Sequence, residues 1–178
     1  MTKKEQALVE QYAKSLVEVY YEHQMLDQLQ TDLAALIQVF EQTDLDEVLG
    51  SFAVSQEYKE EILRLLKDSS STYMNNFLDV IIQNQRQALL YSILKASSFK
   101  IAQLLNEFEV KVTTTVPLTD QQKDRIRTIV EKKVGVKAAK IIEDINPAIV
   151  GGFIISVNNK VIDTSIRGQL QEFKSKLV

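Results

Sequence analysis

The sequence predicts a mainly α protein: an N-terminal bundle of five or six helices, followed by a small α/β domain that contains a β-hairpin. Three observations predict it. Both prolines, Pro117 and Pro147, and four of the five glycines lie after residue 106, so only Gly50 interrupts the first 106 residues. Before that point apolar residues recur at helical spacing; beyond it they alternate or gather in short β-branched runs. The charge divides at the same place. Residues 1–106 carry 9 basic and 15 acidic side chains and residues 107–178 carry 12 and 9, a change of net charge from −6 to +3. Two domains are expected, 1–106 and 107–178.

The first helix has two apolar stripes side by side, Leu8, Tyr12, Leu16 and Val19, then Val9, Ala13, Val17 and Tyr20. Together they exceed the face that an ordinary surface helix buries, so either this helix is central or one stripe stays open for another helix. Leu26, Leu29, Leu33, Leu36, Ile37 and Phe40 mark a second helix. Breaks near Gln42–Asp44, Gly50–Ser55 and Asp68–Ser71 separate shorter ones. Tyr73, Met74, Phe77, Leu78, Ile81 and Ile82 recur in adjacent pairs on a further helix. Leu89, Leu90, Ile93, Leu94, Ile101, Leu104 and Leu105 continue in a last long one.

Beyond residue 106 the period changes. Glu107 to Val116 alternates and is rich in Val and Thr, which predicts a strand. Thr119-Asp120-Gln121-Gln122 is a capping-box pattern opening a helix over 120–134, with Lys132 and Lys133 in its last turn and Gly135 at its end. Val136 to Ile145 reads as a second strand. Pro147 and Gly151–Gly152 then punctuate a turn, and Phe153–Val157 and Lys160–Asp163 flank Asn158–Asn159, a pair that tolerates positive φ in a tight hairpin. Thr164 and Ser165 offer a cap for a final helix with the stripe Ile166, Leu170, Phe173 and Leu177. That stripe is expected to pack on the hairpin and complete the domain, because a hairpin alone is marginal. The predicted order is β-α-β-β-β-α.

Composition narrows the function classes. With 178 residues and 45% hydrophobic content the chain can bury real cores. It has no Cys, so disulfides and thiolate metal sites are excluded. No apolar run is long enough to cross a bilayer, and the opening residues MTKKEQALVEQYAK lack the apolar segment of a signal peptide. His23 is the single histidine and reads as a surface or helix-end residue. Asp163 and Arg167 read as an ion pair at a helix end, and Ser165 as a cap, because no histidine is at hand to activate its hydroxyl. Asn84 and Arg86 share no helix face and read as a corner between helices. The basic helix 120–134 is interleaved with Asp124 and Glu131 and has no aromatic residue for stacking on bases, so no nucleic acid is expected as a partner. No catalytic residue, metal site or cofactor is expected. The residues alone leave a binding or structural protein, with an unrelated helical adaptor or regulatory protein as the alternative.

One run is more specific. The Pro147-x-x-x-Gly151-Gly152 turn, then Val161-Ile162-Asp163-x-Ser165-Ile166-Arg167 and Leu170, closely resembles the C-terminal signature of the δ subunits of bacterial F-type ATP synthases, a family that includes the mitochondrial oligomycin-sensitivity-conferring protein. Tyr12-Ala13-Lys14-Ser15-Leu16, Asn76-Phe77-Leu78 with Asn84-Gln85-Arg86, and Pro117-Leu118-Thr119 are similar to further family motifs, in order, along nearly the whole chain. The chain departs from the usual pattern at Ala148–Ile149, Val157-Asn158-Asn159 and Thr164, where size or turn character is kept. The resemblance implies a non-catalytic peripheral-stalk subunit at the cytoplasmic face of the cell membrane. It implies that a groove between the first and fifth helices receives the N-terminal helix of an α subunit of the catalytic head. Tyr12, Ala13, Leu16, Val17, Leu78 and Ile82 are the residues expected there. It implies that the C-terminal domain holds the b subunits of the stalk, and that Pro147, Gly151, Gly152, Asp163, Ser165 and Arg167 are structural.

Overall fold

The computed structural model describes residues 1–67 and 71–176. Residues 68–70 of the expected break at Asp68–Ser71, and the last member of the final stripe, Leu177, lie outside the described residues. The chain divides into two compact units, Met1–Ile101 and Ala102–Val178.

Six α-helices build the first unit: α1 Lys3–Glu22, α2 Leu26–Gln42, α3 Leu45–Gly50, α4 Gln56–Leu66, α5 Thr72–Gln83 and α6 Leu90–Leu105, the last running on into the second unit. Side chains that satisfy free backbone N–H groups set the starts of α1, α4 and α5, whereas α2 and α3 begin without a side-chain cap. Thr2 and Glu5 form a capping box on α1, Ser55 accepts from Tyr58 N, and Ser71 accepts from Met74 N. The corner expected at Asn84–Arg86 is present: Asn84 caps the end of α5 and Gln85 turns at φ 54°. A short 3-10 turn, Gln87–Leu89, then leads into α6. The core draws on the predicted periodic positions, including Leu29, Leu33, Leu36 and Phe40 of α2, Met74, Leu78 and Ile81 of α5, and Leu90, Ile93 and Leu94 of α6, and adds Leu49 of α3 and Leu63 of α4.

The second unit contains β1 Glu107–Thr114, α7 Asp120–Val134, β2 Lys137–Ile145, β3 Phe153–Val157, β4 Lys160–Asp163 and α8 Ile166–Lys176. The sheet order is β2-β1-β3-β4, with β1 parallel to β2 and antiparallel to β3. Parallel pairing of consecutive strands requires a crossover, and α7 supplies it. Its Ile126 and Val130 pack with Phe108, Val110 and Val112 of β1 and with Ile155 and Val157 of β3. The Thr119–Gln122 capping box opens α7, and Gly135 closes it at φ 78°. Asn158 and Asn159 turn the hairpin at φ 46° and 59°, the left-handed pair that a two-residue link requires. The fold class expected from the sequence is borne out, element by element.

The compact units divide at Ile101/Ala102, where Ala102 packs against the sheet's core while still in α6. One expectation fails. The stripe on α8 does not pack on the hairpin: Ile166, Leu170 and Phe173 are 46%, 62% and 67% exposed, and α8 buries no residue. The core face of the small sheet is already filled by α7. What ties α8 down is its start, where Ile166 N donates to Gly151 O at 3.0 Å.

Candidate functional site

The first helix resolves its two stripes differently. Val9, Ala13, Val17 and Tyr20 are all buried, Ala13 and Tyr20 completely. Leu8, Tyr12 and Val19, with Leu16 at their base and itself buried, line an open groove of about 600 Å³, whose other wall is α5 with Tyr73, Asn76, Phe77 and Val80. Gln11 and Ser15 complete the lining, so it contains no charged side chain. From Leu8 to Val19 the groove runs about 16 Å along α1 at the helical rise, the length of three turns of an occupant helix.

The expected partner-facing residues divide accordingly. Tyr12 and Leu16 line the groove. Ala13, Val17 and Leu78 are not part of its lining and are buried in the bundle. Ile82 is half-buried and lies outside the lining. The reason is rotational: adjacent positions on a doubly apolar helix lie about 100° apart, and only packing decides which stripe turns inward. On α5 the same division holds. Met74, Leu78 and Ile81 point to the core, whereas Tyr73, Phe77 and Val80 face the groove. The paired spacing Tyr73–Met74 and Phe77–Leu78 carried that signal.

A buried polar knot holds one end of the groove. Tyr20 Oη donates to Asp32 Oδ2 at 2.9 Å and lies 2.8 Å from Ser71 Oγ, which also donates to Asp32 Oδ2. Gln28 Nε2 donates to Asp32 Oδ1 at 3.0 Å. Burial, opposed by the Ser71 hydrogen bond and reinforced by Asp32, pushes the Tyr20 phenol well above its usual value, so it stays protonated and a donor at neutral pH. The Tyr20 ring lies 5.6 Å from the Tyr73 ring, and His23, exposed at the C-terminal end of α1, lies 5.0 Å from Tyr73. Sequence reasoning missed Asp32. Its signal was a carboxylate set among Leu29, Leu33 and Leu36 on an apolar face.

Two of the signature residues of the second unit, Asp163 and Ser165, make their hydrogen bonds within the turn that opens α8. Asn146 caps the 3-10 turn Pro147–Ile149 by accepting from Ala148 N at 3.0 Å. Ser165 Oγ caps α8, accepting from Gly168 N at 3.0 Å. Asp163 Oδ1 accepts from Ser165 N at 2.8 Å, and these Ser165 hydrogen bonds hold the Asp163 carboxyl below its usual range. The ion pair expected between Asp163 and Arg167 is absent among the described residues, because the carboxylate is committed to this turn and Arg167 is exposed. No group of three or more His, Cys, Asp or Glu is placed to hold a metal ion among the described residues. Nor, among them, is any helix long and apolar enough to cross a membrane.

Comparison with known proteins agrees with this architecture. The family model described as "ATP synthase delta (OSCP) subunit" matches residues 8–177. The chain is 56% identical over 177 residues to "ATP synthase subunit delta" of Streptococcus pyogenes serotype M3 (strain SSI-1), covering 99% of both chains. The identity and coverage are the same for the protein of that name from Streptococcus pyogenes serotype M1. A chain of the Toxoplasma gondii mitochondrial ATP synthase hexamer shares the fold with a TM-score of 0.71, at 21% identity and with 96% and 97% of the two chains covered. With a family match over nearly its whole length and relatives identical at more than half of their positions, the chain belongs to the ATP synthase delta (OSCP) subunit family.

Proposed function

We propose that the α1–α5 groove receives the N-terminal helix of an α subunit of the catalytic head, and that the second unit holds the C-terminal ends of the b-subunit helices at the cytoplasmic face of the membrane. Membership in the family makes this chain a non-catalytic stator subunit of the peripheral stalk of an F-type ATP synthase, linking the catalytic head to the membrane sector. The stator's task is mechanical. It resists the torque of the rotor, so that rotation drives ATP synthesis and the head does not turn with it. That requires two attachments on one chain, each near 12 kcal/mol for nanomolar binding, or weaker ones joined by avidity.

The observation that carries the head attachment is the open, uncharged apolar groove between two helices of the first unit. Such a groove accepts the apolar face of an amphipathic helix through anchors at i, i+3, i+4 and i+7. For the stalk attachment the support is the exposed row Ile166, Leu170 and Phe173 on α8.

Val19 and Val80, each 42% exposed, test the head attachment. Val19→Asp or Val80→Asp puts a charge on the groove wall without burying it in the core. Each variant is expected to keep the helical circular dichroism and to weaken binding of an α-subunit N-terminal peptide by roughly tenfold or more, since a desolvated charge costs at least about 1–2 kcal/mol. Ala13→Asp is expected to destabilise the unit itself by several kcal/mol, roughly the cost of burying a charge without a partner. Undiminished peptide binding by the two valine variants would rule the groove out.

A further inference from the structure

We infer that the Tyr20–Asp32–Ser71 knot is a positioning device: it sets the separation of α1 and α5 and thereby shapes the groove for a helix. The inference rests on the reading of the groove as the head-binding site and concerns residues outside the groove's lining. The groove exists because α1 and α5 form its two walls without closing on each other. Along the groove the facing side chains leave space between them, so a directional contact at its end adds to what the core beneath fixes. Tyr20 lies on α1, just beyond the lining residue Val19. Ser71 is the N-cap of α5, two residues before the lining residue Tyr73. Asp32 belongs to α2, outside both walls, and takes hydrogen bonds from the two hydroxyls together. Gln28 fixes its other oxygen.

A hydrogen bond is directional where apolar contact is not, and a buried polar network fixes one geometry among several of similar packing. The three oxygens form a triangle, so α1 cannot move outward from α5 without breaking the Tyr20 contacts to both partners. The Tyr20–Tyr73 ring contact passes the same constraint to the groove wall. The knot is also tolerant of one deletion. In Tyr20→Phe, Asp32 still accepts from Ser71 and Gln28, so no buried carboxylate is orphaned and the fold survives.

The absence of cysteine allows the wall separation to be measured directly. Spin labels on Glu18→Cys and Thr72→Cys, both exposed, report on α1 and α5 at the knot's end. In the full chain, Tyr20→Phe is expected to shift or broaden the distance distribution. It is also expected to weaken binding of the α-subunit N-terminal peptide by about fivefold to tenfold, the worth of one hydrogen bond. Ser71→Thr, which keeps the hydroxyl, should retain the wild-type distance and affinity. Ser97→Ala is the control for stability alone. It removes a buried hydroxyl that bonds to Ile93 O within α6, and it should leave both readouts unchanged. An unchanged distance distribution in Tyr20→Phe, or equal losses in Tyr20→Phe and Ser97→Ala, would overturn the inference. Failure of the wild-type chain to bind the peptide would overturn the reading of the groove, and the label distances would still decide the role of the knot.

Discussion

Gly152 turns the chain at φ 76°, and a Cβ there would lie 2.4 Å from the Thr164 carbonyl oxygen and 3.1 Å from Ser165 Cα. Both obstacles are backbone. At Gly151 the nearest atom to a Cβ is the Ile166 Cδ1 at 2.9 Å, the end of a side chain that can rotate away. Gly152→Ala should therefore cost the second unit at least about 2 kcal/mol, and Gly151→Ala less than about 1 kcal/mol, as read from denaturant unfolding. Glu143 sets a second expectation. It accepts from Leu118 N at 2.8 Å and pairs with Lys123 at 2.8 Å, joining β2 to the segment that enters α7 and to α7 itself. The Leu118 backbone hydrogen bond, then Lys123, lowers its carboxyl below the ordinary value of 4.5. A depressed carboxyl stabilises the fold fully above its unfolded value, and that contribution is lost as pH falls through the folded one. Unfolding of the second unit should therefore become easier as pH drops below about 4.5, and Glu143→Gln should flatten that dependence without changing its sign. A titration of unfolding midpoint against pH checks it.

At the scale of elements, α1 and α8 pose the same question and answer it differently. Both carry apolar residues beyond what their own unit buries. On α1 the surplus becomes one wall of a groove. On α8 it stands in the open, with Leu170 and Phe173 more than 60% exposed and no buried residue in the helix. Core residues of α1 and surplus residues of α8 should thus behave oppositely under substitution. Leu170→Ser with Phe173→Ser is expected to change the unfolding free energy by less than about 0.5 kcal/mol, the usual range for exposed sites. The same double variant should lose binding to a fragment carrying the C-terminal end of the b subunit. A large loss of stability would mean that α8 is part of the domain's core, and retained binding would remove α8 from the stalk attachment.

The whole chain joins two units, each with its own core and its own candidate surface. Residues 1–105 contain all of α1 to α6, so a fragment ending there is expected to melt cooperatively and to bind the catalytic head but not the b subunit. Membranes reconstituted with that fragment in place of the full chain should retain ATP hydrolysis and lose ATP-driven ion pumping, because nothing would hold the head against the stalk. Pumping at the full-length level would contradict the mechanical role.

Much of this was legible in the residues. The change of period after residue 106, the Thr119–Gln122 capping box, Gly135 after Lys132–Lys133 and the Asn158–Asn159 link each act within a few residues of chain. Such local physics survives into the fold unchanged: caps, turn residues and periodicity placed α7, the hairpin and the order of elements along the chain. The family resemblance was also carried by a local, spaced pattern, and the relatives bear it out. What the chain could not decide alone were choices between equivalent faces. Val9, Ala13 and Val17 and their neighbours Leu8, Tyr12 and Leu16 are similarly apolar, so which stripe is core depends on where α2 and α5 stand. The stripe on α8 has the spacing of a core face, but α7 fills the core face of the sheet. Asp32 is a third case: an acidic residue on an apolar stripe has no meaning until Tyr20 and Ser71, distant in sequence, arrive beside it. Periodicity records that a face is apolar, and only the packing of the other elements determines whether that face meets the core, a partner or water.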